Sequence, residues 1–265
     1  MVFFVIFILS AVLMGVGAML APALPTAQPR IGLSSALALF FVLAGGIFWT
    51  HWIGWDTLVI DYLLFGAVSL VVLGGTMIQA HQVNNEDDAP EAATDDEEQW
   101  LNRDEFIFLL IVAMLCLLSL LIPIQPPDMP FETGQTLEAI QTLYPQITSI
   151  GATAFYVLSV YLTQQLQQDY LIVQQAVICV LIFLCVFTTY DLGAVIKNTL
   201  AGKILAMGVC LGLLIGLWLQ PEWYTLLPLV LLSLTILIFI VRIAQYRQLF
   251  DMLALIFLSG LLFYI

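Results

Sequence analysis

Charge is what this chain of 265 residues has least of. Only 9% of its residues are charged, and Lys and Arg together number six. Soluble domains carry about 25% charged residues, so so sparse a supply excludes an ordinary water-exposed globule. Histidine occurs twice, and neither an H-E-x-x-H run nor a pair of histidines on facing helices for haem can be drawn. The four cysteines, Cys116, Cys179, Cys185 and Cys210, form no C-x-x-C pair and all fall inside apolar runs. That spacing excludes a zinc or dithiol motif and leaves them as small buried apolar side chains. No G-x-S-x-G or other nucleophile motif is present, and no alternating strands of a barrel occur.

Apolar residues fill the place that charge leaves. They make up 62% of the chain, and mean hydropathy is +1.05. Runs of about 18 or more apolar residues read as membrane spans, because about 20 helical residues cross a ~30 Å hydrocarbon core. The pattern predicts an all-α, polytopic integral membrane protein with eight or nine transmembrane helices and one short amphipathic surface helix. The expected spans are 2–20, 32–50, 58–80, 105–123, 148–166, 170–190, 199–219, 223–241 and 248–265. The first is expected to be a retained helix, since a cleaved signal peptide needs a basic residue ahead of its apolar run. Pro228 is the only proline deep within an expected span.

The formal net charge of −13 belongs to one place. Eight of the nineteen acids lie between Glu86 and Glu98, so the charge describes a loop and gives no reason to expect a nucleic-acid partner. Dense like charge cannot support a packed core, and the segment lacks the Gly and ligand spacing of an EF-hand. The expected organisation is a three-helix part at 1–80, an acidic linker at 81–103, and a five- to six-helix module at 104–265. Between the second and third spans, Trp49, Trp52 and Trp55 mark a membrane-interface turn, where amphipathic indoles collect. His51 and Asp56 in that turn read as water-facing residues.

Ionisable groups inside membranes are costly and are functional candidates wherever they occur. Here Asp61, Asp169, Asp191, Glu222 and Asp251 all fall near expected span ends. They read as interface residues, which argues against a proton relay, a voltage sensor or an ion-coupled transporter. The loop at 125–146, "QPPDMPFETGQTLEAIQTLYPQ", is the stretch most open to chemistry. It has no basic residue, and Asp128 and Glu132 precede a helical pattern of Leu137, Ile140, Leu143 and Tyr144. Such a pattern suits a helix lying on the membrane surface. The positive-inside rule, applied to Arg30 and Arg103, puts this loop on the extracytoplasmic side.

The order of span, acidic outer loop, surface helix and further spans resembles the N-terminal module of GT-C glycosyltransferases. "PFETGQTLEAIQTLYP", "AFYVLSVYLTQQL" and "AVICVLIFLCVFTTYDLG" resemble successive segments of the bacterial protein-mannosyltransferase-like branch. Over residues 104–265 the resemblance implies a bacterial cytoplasmic (inner) membrane protein, with Glu132 or Asp128 as general base. Its donor would be a sugar carried on a polyprenyl phosphate, with no cofactor or metal. Where that family has an Asp or Asp-Glu pair, this chain has Glu132-Thr133, with Asp128 upstream and no basic residue in the loop. The alternative is a non-enzymatic membrane subunit or assembly protein, whose partners are lipids and other membrane proteins. A transporter or channel is the third class. A paired acid and phosphate-facing Arg would favour the first reading, and an outward helix face rich in small residues the second.

Overall fold

The computed structural model describes residues 1–20, 32–40, 44, 58, 61–62, 65–66, 69, 73, 103–122, 150–246 and 249–262. Among them there is no strand. The helices are α1 (Val2–Leu20), α2 (residues 32–40), α3 (Arg103–Leu117, tightening into a 3-10 turn at Leu118–Leu121), α4 (Ile150–Leu166) and α5 (Tyr170–Ile196). They continue with α6 (Thr199–Leu219), a 3-10 turn at Pro221–Leu226, α7 (Leu227–Tyr246) and α8 (Leu249–Leu261). The isolated described positions between 58 and 73 are helical as well.

The hairpins between α4 and α8 follow from short connections with recognisable stop and start residues. Gln167, at φ 50°, takes the left-handed conformation that ends α4. Asp169 then caps α5, its carboxylate accepting from the Leu171 N–H at 2.8 Å. Asn198 does the same for α6 through the Ala201 N–H at 2.8 Å. Pro221 opens the 3-10 turn, and the following Pro228 is the second residue of α7. In the helical stretch Pro221–Gln245, which is long and apolar enough to cross a membrane, Pro228 is the eighth residue, so a proline does lie within a span as expected. It stands where the 3-10 turn passes into α7, a place where a missing N–H is readily accommodated.

α5 is the axis of the structure. It packs most extensively against α6, then α7, and also touches α1, α3 and α4. Its 27 residues span about 40 Å at 1.5 Å per residue, longer than a ~30 Å hydrocarbon core. The expected connection "DLGAVIKN" is in large part the last turns of this helix, since α5 runs on through Asp191 to Ile196. Close crossings are built on glycine. A Cβ on Gly193 would sit 2.5 Å from the Gly202 Cα, and one on Gly17 would sit 2.8 Å from the Ser35 backbone nitrogen. These contacts draw α5 to α6 and α1 to α2.

Three helical stretches, Tyr170–Ile196, Thr199–Leu219 and Pro221–Gln245, are long and apolar enough to cross a membrane. Val2–Ala18, Ile107–Leu121 and Asp251–Leu262 are shorter apolar helices. The chain is thus an α-helical, membrane-associated protein. The acidic linker at 81–103, apart from the first residue of α3, and the whole loop at 125–146 lie outside the described residues.

Candidate functional site

Asp128 and Glu132, the acids of the expected outer loop, lie outside the described residues, as do His51 and Asp56. The described polar groups instead gather at three places where helices meet. All three include an acid that the sequence places near a span end, and the surroundings of each differ from a water-facing interface.

The first joins the beginning of the chain to α5. Asp191 is buried, and its Oδ2 accepts from the Leu33 N–H at 2.8 Å. Leu33 is the second described residue of α2. Gly32 permits the approach. A Cβ there would lie 2.7 Å from the Phe187 carbonyl carbon and 2.9 Å from Asp191 Oδ2.

One turn further along α5, where α7 meets it, α7 and α8 share a charge pair. Arg242 donates through Nε at 3.1 Å and Nη2 at 3.0 Å to a single oxygen, Asp251 Oδ1. Both side chains are completely buried. Three residues further along α7, the Gln245 amide donates to the Val195 carbonyl of α5 at 3.1 Å. Asp191 and Asp251 stand near helix ends, as the sequence places them, and protein donors surround them there.

The third place is more open. Asp61 is half-buried, and its Oδ1 accepts from the Tyr161 hydroxyl at 2.5 Å and the Gln165 amide at 2.7 Å. Tyr161 and Gln165 stand one turn apart toward the C-terminal end of α4, so they present neighbouring donors on one stripe. Where the sequence reading expects headgroups or water, two protein donors meet one oxygen of Asp61.

Elsewhere among the described residues the buried polar side chains are uncharged, mostly serine and threonine. All four cysteines are free and buried, with Cys179 Sγ donating weakly to the Cys116 carbonyl at 3.5 Å. Gln174 on α5 is fully buried, and neither its amide nitrogen nor its oxygen has a hydrogen-bond partner among the described residues. No group of three or more His, Cys, Asp or Glu among the described residues is placed to hold a metal ion.

The remaining feature lies on the outside. α6 turns Ile204, Leu205, Leu211, Ile215 and Trp218 outward. Gly208 and Gly212 lie among them, and a Cβ on either would meet nothing within 4 Å. Gly216, one turn on, is covered by Trp223 at 3.6 Å. The i, i+4, i+8 spacing of these glycines is visible in the sequence and is the signal that a residue-by-residue search for chemistry passes over. No family model, curated protein or solved structure matches the chain. Fold and polar groups together define a helical membrane protein in which Asp191, Arg242 and Asp251 are turned inward to hold helices together.

Proposed function

We propose that this chain is a non-enzymatic membrane subunit, which binds the apolar transmembrane helix of another membrane protein along the outward face of α6. The observation that carries this reading is the open step at Gly208 and Gly212, flanked by Ile204, Leu211 and Ile215. Lipid tails are as apolar as leucine, so helices in a bilayer gain little by hiding apolar surface from lipid. They associate where small residues let two backbones come close enough for extensive van der Waals contact. Elsewhere in the fold, glycine is used in this way already: Gly193 and Gly202 bring α5 and α6 together, and Gly17 brings α1 against Ser35. Gly208 and Gly212 repeat the device on a face that the described chain leaves uncovered.

The inward-turned charges support the same reading. Asp191, Arg242 and Asp251 are engaged in holding helices, and each is buried. Such groups suit a scaffold better than a reaction centre, which must present an acid or base to substrate.

The test is association of the full-length protein in its native membrane. Residue-specific photocrosslinking from Leu211 should capture a membrane protein partner, and Gly208→Leu with Gly212→Leu should abolish the crosslink. A Gly208→Ala, Gly212→Ala variant, which keeps the residues small, should retain most of it. Crosslinks only to lipid would refute the proposal. Crosslinks only between copies of this chain would replace the foreign partner with self-association.

A further inference from the structure

We propose that Arg242 and Asp251 form an insertion clasp, through which α8 enters the membrane only as a hairpin with α7. Residues 247–248 alone separate the two helices. Arg242 stands four residues before the end of α7, and Asp251 is the third residue of α8. Each is therefore about one helical turn inside the connection, close enough for a long side chain to reach the headgroup zone. Neither does so. Both are completely buried, and two guanidinium nitrogens converge on Asp251 Oδ1 at 3.0 and 3.1 Å.

A buried ion pair is a poor source of net stability, because desolvation offsets most of the attraction. Its stronger effect is on which arrangements are allowed. A lone Asp or Arg in hydrocarbon is expensive, whereas the pair is tolerated. That matters most for α8, which has 13 residues and covers only about 20 Å, short of a ~30 Å core. Its inward face carries Asp251, Leu258 and Leu261, while Leu253 and Ile256 face outward. Among the described residues, α8 makes its extensive contact with α7. Short, acidic at its start and packed chiefly on one helix, α8 depends on Arg242 for the countercharge that admits its first turn. The Gln245 contact to Val195 anchors the supplying helix to α5, so the countercharge is held in place when α8 arrives.

The clasp is tested with the full chain in sealed membrane vesicles. Gly260 is exposed on α8 with open space around it, so a Gly260→Cys reporter adds no clash. Its reaction with a membrane-impermeant maleimide reads whether α8 lies in the bilayer. Leu205→Cys on the outward face of α6, in a parallel series, reads whether the rest of the bundle is intact. Arg242→Leu, which leaves Asp251 without its countercharge, should raise labelling at position 260 by about tenfold or more, given the cost of an unpaired charge on insertion scales. Asp251→Leu, by contrast, removes the acid from α8 and should leave labelling near the starting level. The Arg242→Leu, Asp251→Leu double variant should return labelling to the starting level, as should the exchange Arg242→Asp, Asp251→Arg. Position 205 should stay protected throughout. Unchanged labelling at 260 in Arg242→Leu overturns the proposal. So does labelling in the double-leucine variant as high as in Arg242→Leu. Exposure of position 205 together with 260 also overturns it, because the pair would then be a general support of the bundle.

Discussion

Asp191 Oδ2 accepts a hydrogen bond from the Leu33 N–H at 2.8 Å, across 158 positions of sequence. This contact ties the amino-terminal part of the chain to the central helix through a buried carboxylate. Removing the acceptor leaves a buried N–H without its partner, which costs about 1–3 kcal/mol. Asp191→Leu should therefore lower the thermal unfolding temperature of the detergent-purified protein clearly. Asp191→Asn keeps a carbonyl oxygen in the same place and should recover a good part of the loss. Equal loss in the two variants would mean that the Leu33 contact contributes little.

The glycines divide into closed and open positions, and substitution by alanine should separate them. A Cβ at Gly32 would stand 2.7 Å from the Phe187 carbonyl carbon, and at Gly202 2.5 Å from the Tyr190 carbonyl oxygen. Backbone must shift in both cases, with an overpacking cost of about 1–3 kcal/mol. At Gly208 and Gly212 the methyl group enters open space. There alanine should stabilise the helix by about 0.5–1 kcal/mol through helix propensity. Unfolding curves of the four single variants check the ordering. Destabilisation by Gly208→Ala in the isolated protein would mean that this face is already covered.

Tyr161 and Asp61 provide a measurable coupling between the amino-terminal part and α4. Interhelical hydrogen bonds in membrane proteins average about 0.6 kcal/mol in double-mutant cycles. Tyr161→Phe and Asp61→Asn, alone and combined, should give a coupling of that order or somewhat above it, because the acceptor is a carboxylate. Gln165 also donates to Asp61 Oδ1, at 2.7 Å. Tyr161→Phe alone therefore leaves the carboxylate one donor and should be the milder change. A coupling near zero would show that water serves Asp61 as well as Tyr161 does.

How far the fold could be read from sequence follows from which interactions are local. α1 and α6 coincide with the expected spans 2–20 and 199–219, because a continuous apolar run bounded by Pro or Asn is a local signal. The end of α5 was legible only in part. Asp191 and Gly193 look like a loop, and the reasons they are helical are Leu33, far back in the chain, and Gly202, across a hairpin. The Arg242–Asp251 pair is hidden for the same reason. Each residue alone resembles an interface charge, and only packing reveals that the other neutralises it. Of the candidate site, the acids at 128 and 132 rest on sequence alone, whereas the glycine spacing on α6 was legible and needed exposure to give it meaning.

The loop acids separate the subunit reading from the transferase reading. A general base contributes about 10²–10⁴ in rate, whereas a solvated carboxylate contributes little to folding. If the chain moved a sugar from a polyprenyl-phosphate donor, Glu132→Gln or Asp128→Asn would cut turnover by that factor at unchanged thermal stability. The subunit reading expects something different from the same proteins. Both amide variants should be captured with the α6 partner as efficiently as the parent chain, and membranes containing the parent should transfer no sugar above the vector control. The two assays are independent, because the association face is centred on Gly208 and Gly212 and the acids lie in a separate stretch of sequence. Sugar transfer that is lost in either amide variant would sink the non-enzymatic reading, even with helix association intact. Loss of association in Gly208→Leu, Gly212→Leu, with the amide variants unaffected, is the pattern expected of a membrane subunit.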